Sequence, residues 1–454
     1  MSLVAERPSP GPPRPWSFPK FERHEVAGGR VITCHLPGKP LAVISLVADA
    51  GAVTEPAGKE GVAEIVVRAL SEGAGPYDAY GFAVAGERLG ATWRYQTDWD
   101  SLRCGFEVPV AELTGAAELL AAAVREPHLD EPSLIRVRDE RVDEIRLDQS
   151  QPGPRASAAF GAAIWDDSCR YSLPDGGTAE TVGALNPDDV RAFHGSRLRP
   201  DAVTLVIAGD LDTVDADAAA RAVFAGWVGG PASAPTPAPV ASKPRGEGSR
   251  VIVVDRPGSV QSMLYAGHDA PNRRTPDYVP MTTMALVLGG MFNSRLNYRL
   301  REDKGYSYGA FGSFDTRRDA GIFSARSAVQ TEVTAPALAA AVAEIRTMHE
   351  SGATEAELEQ ARSYRAGVFP INFAGPGAVA AGLSDLVVYD LADDHYDRLR
   401  QDVLDVELDA VNAAASSRLR PDDLIAVVVG DASAVVDELR ETGLGPVEVL
   451  ADED

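Results

Sequence analysis

The chain has 454 residues, 45% hydrophobic and 24% charged, a globular composition long enough for two or more cored domains, which excludes wholesale disorder. Acidic residues outnumber basic ones 67 to 43, and the formal net charge of -24 argues against nucleic acid and anionic membrane surfaces as partners. Cys34, Cys104 and Cys169 stand far apart and never as CxxC, so three reduced thiols are expected rather than a disulfide framework or a thiolate zinc site.

Residues 1–20 begin MSLVAERPSPGPPRPWSF, a Pro-rich arm that lacks the apolar core of a signal peptide. No later segment approaches an uninterrupted apolar span of about 20 residues. A soluble, cytoplasmic chain is expected, with the arm mobile or draped on a partner. Residues 30–36 and 41–49 are β-branched runs bounded by Pro-Gly and Gly and predict strands, whereas 59–72 and 78–89 carry helical apolar spacing. ATWRYQTDWDSLRCGFEV, 91–108, alternates as a hairpin does. Helical patterns over 111–124, 131–149 and 186–195 then precede the strand VTLVIAGD. The later part of the chain has two long helical patterns, VTAPALAAAVAEIRTMHESG and TEAELEQARSYRAGVF, and Thr354 and Glu357 predict a capping box at the start of the second.

The chain repeats itself. RVITCHLPG from Arg30 returns as RVIVVDRPG from Arg250, and SRLRPDAVTLVIAGD from Ser196 returns as SRLRPDDLIAVVVGD from Ser417. Two landmarks with nearly the same offset, one of them keeping SRLRPD intact, indicate duplication of a whole domain. Between the copies, residues 229–249 contain five prolines and no apolar periodicity, as an extended linker would. The predicted fold is α+β: two homologous domains, 21–228 and 250–454, each a mostly antiparallel sheet packed against helices, joined by the Pro-rich linker.

LGGMFNSRLNYRLREDKGYSYGAFGSF, 288–314, resembles the second-half signature of the insulinase/pitrilysin-type metallopeptidases, close to the processing-peptidase branch. The likeness lies in a Gly pair, then SRL, then Arg301, Glu302, Lys304, Gly305 and an aromatic pair ending in Tyr308. It continues through GATEAELEQARSYRAGVF and GPGAVAAGLSDLVVYDL. The resemblance implies an H-x-x-E-H helix in the first half, with two His on zinc, a Glu that activates water and a distal Glu ligand. Here GVAEIVVRALSEG, 61–73, keeps the preceding Gly-x-Ala as Gly61, Val62 and Ala63. That register puts Glu64 and Arg68 at the His positions, Val67 at the catalytic Glu and Glu144, in RVDEIRLDQ, at the distal ligand.

Arg68 offers five donors and no lone pair, and Val67 can neither accept nor relay a proton. No zinc is therefore expected in this chain, and Arg68 is expected to neutralise Glu64 and Glu144. Arg301 and Tyr308, by contrast, match the pair that the resemblance places on the substrate carbonyl from the facing lobe, and a guanidinium and a phenol can stabilise developing negative charge there. The implied function is the non-zinc subunit of a heterodimeric metallopeptidase, inactive alone, with zinc and base in a homologous partner and an extended peptide as substrate. A structural or peptide-binding subunit without a catalytic role is the alternative. A hydrolase using Glu64 and Glu144 with a different metal is a third reading, opposed by Val67.

Other motifs carry less. The seven histidines, at 24, 35, 128, 194, 268, 349 and 395, never occur as HxxxH or HxH. GDLDTVDADAA, from Gly209, lacks the Gly and Glu of a calcium loop and reads as a strand-end turn followed by a helix cap.

Overall fold

The computed structural model describes residues 14–229 and 249–451, so most of the linker and the first part of the N-terminal arm lie outside the described residues. The first half contains β1 (Phe21–Val26), β2 (Gly29–His35), β3 (Leu41–Ala48), a two-residue ladder of β4 (Gly73–Ala74) and β5 (Tyr77–Asp78), β6 (Thr92–Thr97), β7 (Leu102–Pro109) and β8 (Val203–Gly209). The second contains β9 (Arg250–Asp255), β10 (Gln261–Ala270), β11 (Ser307–Thr316), β12 (Gly321–Gln330), β13 (Ile425–Gly430) and β14 (Val447–Leu450).

Two six-stranded sheets result, in the orders β1-β2-β8-β3-β7-β6 and β14-β9-β13-β10-β12-β11. Apart from one edge strand in each, these are one topology used twice. In each, the strand that follows SRLRPD lies centrally, parallel to the strand that opens the repeat and antiparallel to the next. Both central strands are buried throughout, which explains their unbroken apolar sequences, VTLVIAG and IAVVVG. The edges opposite β6 and β11 differ, since β1 pairs antiparallel with β2 whereas β14 pairs parallel with β9. Neither β1 nor β14 stands out in the sequence, because FERHEV is mostly polar and VEVL is only four residues long.

The duplication extends to single hydrogen bonds at the strand ends. Gly38 donates its N–H to Asp210 Oδ2 at 2.7 Å, and Gly258 does the same to Asp431 Oδ2 at 2.8 Å. Leu211 N–H donates to His35 Nδ1 at 3.0 Å where Ala432 N–H donates to Asp255 Oδ1 at 2.9 Å. The expected capping box of Thr354 and Glu357 is present.

One face of each sheet packs on its own half's helices to form a core. The other face is covered by the opposite half. Helix Pro152–Ile164, from the first half, lays Phe160 and Ile164 against the second sheet's Ile252, Tyr265 and Val427. Helix Pro376–Val388, from the second half, lays Val379, Leu383 and Leu386 against Ile32, Val47 and Val206 of the first sheet. Each half thus lends the other a lid, and two apolar sheet faces are removed from water together.

The described part of the arm, 14–20, packs on the second half of its own chain: Trp16 stacks on Phe373 at 5.8 Å and Phe18 on Tyr396 at 4.7 Å. Cys34, Cys104 and Cys169 are buried free thiols. Among the described residues no single helix is long and apolar enough to cross a membrane.

Candidate functional site

The motif helix spans Val62–Ala69, shorter than its apolar pattern, because Gly61 precedes it in the left-handed region at φ 95°. A Cβ at Gly61 would lie 2.7 Å from the Gly176 carbonyl oxygen, so close approach as well as φ requires glycine there. The buried carboxylate of Glu55 takes the place of a capping side chain: its Oε1 accepts from Gly61 N–H and Ala63 N–H, both at 3.0 Å. Arg170 Nη2 holds the other oxygen at 2.8 Å and donates also to the Asp175 carbonyl at 2.9 Å. Burial raises the Glu55 carboxyl pKa, and the Arg170 charge and the two amides oppose that rise. This pair fixes where the helix starts and how it faces its neighbours.

On that helix Glu64 and Arg68 share a face one turn apart, and helix Glu131–Gln149 brings Glu144 to them. Arg68 Nε donates to Glu64 Oε1 at 2.6 Å, Nη1 to Glu144 Oε1 at 2.9 Å, and Nη2 lies 2.8 Å from Glu144 Oε2. The fork-on-carboxylate contact with Glu144 is the strong bidentate form. Burial pulls the guanidinium pKa down, but the two carboxylates outweigh it and leave Arg68 above its ordinary value. Arg68 in turn holds the Glu144 carboxyl below the usual range, with burial opposing and Arg141 Nη1 assisting from 3.2 Å. Thr97 Oγ1 donates to the remaining oxygen of Glu64. Val67 is fully buried in the core.

These residues do not fit zinc. The lone pairs of Glu64 and Glu144 are committed to Arg68, Thr97 and Arg141, a permanent cation stands between the two carboxylates, and no group that could serve as a base occupies position 67. Thr97, Arg141 and the Glu55–Arg170 pair were not singled out by the sequence. Arg141 could have been found as the residue three before Glu144 on the same helix face; the others join distant segments.

Arg301 and Tyr308 lie in the second half and make no contact with this cluster among the described residues. Arg301 sits on a wide helical turn, Tyr298–Asp303, with its guanidinium 4.7 Å from the Phe292 ring centre and its Nε 3.5 Å from Glu302. The chain reverses at Gly305, φ 66°, and enters β11. There the pairing with β12 slips between Ser307 and Ala310. Ser307 Oγ donates to the Gly309 carbonyl, Gly309 N–H donates back to Ser307 Oγ, and Asn297 Oδ1 accepts from Ala310 N–H. The bulge turns Tyr308 out of the sheet, 95% exposed. A phenol so placed neither packs in the strand nor serves the core.

His35, Asp210 and Asp212 converge closely enough to suggest a cation site. The hydrogen bonds already described give them another job: His35 Nδ1 and Asp210 Oδ2 each accept a backbone N–H, as Asp255 and Asp431 do in the second copy. The trio is the turn of the repeat, with His in place of Asp.

Residues 30–166 match the family model for insulinase (peptidase family M16), and residues 184–364 match that for the peptidase M16 inactive domain. An uncharacterized zinc protease of Mycobacterium leprae is 26% identical over 349 residues, 76% of this chain and 78% of the relative. Among solved structures, the peptidase M16 inactive domain from Pseudomonas fluorescens is similar with a TM-score of 0.83 and 23% identity, over 91% of this chain and 98% of the other. A chain of complex III2 from Candida albicans is similar with a TM-score of 0.77 and 14% identity, over 94% and 99%. The two family models, the relative and the shared duplicated fold agree: the chain belongs to the insulinase family of peptidases, family M16.

Proposed function

We propose that this chain is the non-zinc subunit of a heterodimeric zinc metallopeptidase and has no hydrolytic activity alone. A homologous partner with an intact H-x-x-E-H supplies metal and base; this chain supplies Arg301, Tyr308 and half of the peptide chamber. The observation that carries the reading is the contrast between the two motifs. An ion-pair cluster fills the first, whereas the second keeps both functional groups and projects its phenol into solvent. Bound across the interface, the guanidinium and phenol would face the substrate carbonyl oxygen as negative charge develops on it. The edge strands β6 and β11, each paired on one side only, offer main-chain groups to an extended peptide.

The test is co-expression with a zinc-bearing family member and a peptide-cleavage assay on the purified complex. Arg301→Ala and Tyr308→Phe are each expected to lower kcat by about 10²–10³ while the complex stays intact. Full activity in the double variant would favour the second reading, a purely structural or peptide-binding subunit, which the likeness to a chain of complex III2 supports.

A further inference from the structure

Between the halves lies a cavity of about 500 Å³, within the range of small-ligand sites. Its floor is the part of the second sheet that helix Pro152–Ile164 leaves uncovered. Ile322, Ser324 and Arg326 alternate along β12 and so share one face; Arg326 lies directly opposite Tyr265 on β10, and Ser324 opposite Ser313 on β11. The first half supplies the other walls: Phe160, 5.5 Å from Tyr265, the indole of Trp99, and Asp148 near the end of helix Glu131–Gln149.

Most charges in this lining are already paired. Arg317 donates to Asp315 Oδ2 from Nε and Nη2, at 3.0 and 2.8 Å, and lies over Trp99 at 4.2 Å. Arg141 holds Glu144, and Asp175 Oδ1 accepts from Gly176 N–H. Arg326 and Asp148 are the exceptions: among the described residues neither side chain makes an ion pair or hydrogen bond. One is a cation from the second half and the other an anion from the first, and aromatic surface and serine hydroxyls line the same cavity.

We propose that the cavity binds short peptides with free ends: carboxylate at Arg326, ammonium at Asp148, and an apolar side chain against Phe160, Tyr265 and Trp99. A zwitterion answers both unpaired charges at once, whereas an anion or cation alone would meet only one of them. The serines offer partners to the peptide groups between the ends. The site needs neither metal nor a partner subunit, so it stands apart from the heterodimer reading.

The test uses the chain alone, without zinc, titrated with the tripeptide Leu-Gly-Phe, its N-acetyl form and its C-terminal amide, and followed by calorimetry and tryptophan fluorescence. The free peptide is expected to bind, and either cap to weaken it about tenfold, as loss of a hydrogen bond to a charged group does. Arg326→Ala should erase the difference between acid and amide, and Asp148→Asn the difference between free and acetylated amine. Both side chains are exposed, so both variants should keep the melting temperature. Equal binding of all three peptides, no binding of the free peptide at millimolar concentration, or variants that still distinguish the caps would each overturn the proposal. Because no partner is present, none of these results bears on the activity of the heterodimer.

Discussion

At the scale of single residues, Arg68 shows how little separates a metal site from an ion-pair cluster. Its guanidinium spans two carboxylates that could themselves have ligated a metal. Replacing both charged positions on the helix, Glu64→His with Arg68→His, would place two imidazoles one turn apart beside Glu144, a three-ligand set suited to zinc. Metal analysis after dialysis is expected to give about one zinc per chain for this double variant and almost none for the parent. The variant should still hydrolyse nothing alone, since Val67 provides no base. No gain in zinc would mean that Glu144 is not the distal ligand position.

Asp100 is a second residue whose environment makes a measurable claim. It is 1% exposed, its Oδ2 accepts from Arg318 N–H at 2.9 Å, and burial lifts its pKa from the ordinary 3.8 to about 6, with Arg318 opposing and Asp98 and Asp319 adding to the rise. As pH rises, the unfolded chain gives up this proton first, so folding stability falls between about pH 4 and 6 and the full cost persists above 6. Asp100→Asn keeps an acceptor for Arg318 N–H and removes the charge. It is expected to stabilise the protein at pH 7.5 by about 1–3 kcal/mol and to flatten the change between pH 4 and 6, read from melting temperatures across pH. A lower melting temperature at pH 7.5 would show that the ionised carboxylate is net favourable at the junction of the halves.

At the scale of elements, what could be read from the sequence was what repeats or caps locally. SRLRPD located both central strands, and Thr354 with Glu357 located a helix start. Apolar spacing extends the motif helix over 59–72, past its true beginning; its start is set by Gly61 and by Glu55, whose partner Arg170 is 115 residues away. Periodicity carries no information about such a pair. The bulge that turns Tyr308 outward was equally hidden, since it depends on Asn297 and on Ser327 of the next strand as well as on Ser307.

The Glu55–Arg170 pair is fully enclosed, so deleting either member leaves an uncompensated charge. Glu55→Gln and Arg170→Met are each expected to cost about 3–5 kcal/mol in denaturant unfolding. The double variant should cost clearly less than the two single changes added together, because they share one interaction. Additive losses would show that Glu55 acts through the helix amides alone.

At the scale of the whole molecule, the duplication was visible in the sequence but the exchange of helices was not. An apolar helix pattern does not say which of two similar sheets it will cover, and PGPRASAAFGAAI and PGAVAAGLSDLVV cover each other's. The consequence is that neither half is complete alone. Without the second half, Ile32, Cys34, Val47, Val206 and Ala208 would face water; without the first, Ile252, Val254, Ile425, Val427 and Val429 would. Faces of that kind drive association or aggregation in an isolated domain. Ion pairs also cross the junction, Arg318 to Asp49 at 2.6 Å and Arg103 to Asp385 at 2.9 Å, but both are partly exposed and should weaken in salt. A chain cut within 230–248 and produced as two pieces is therefore expected to purify as a 1:1 complex that survives high salt and melts in one transition. Each piece made separately should aggregate. Soluble single halves, or two separate transitions in the uncut chain, would show that each sheet is stable without its borrowed helix.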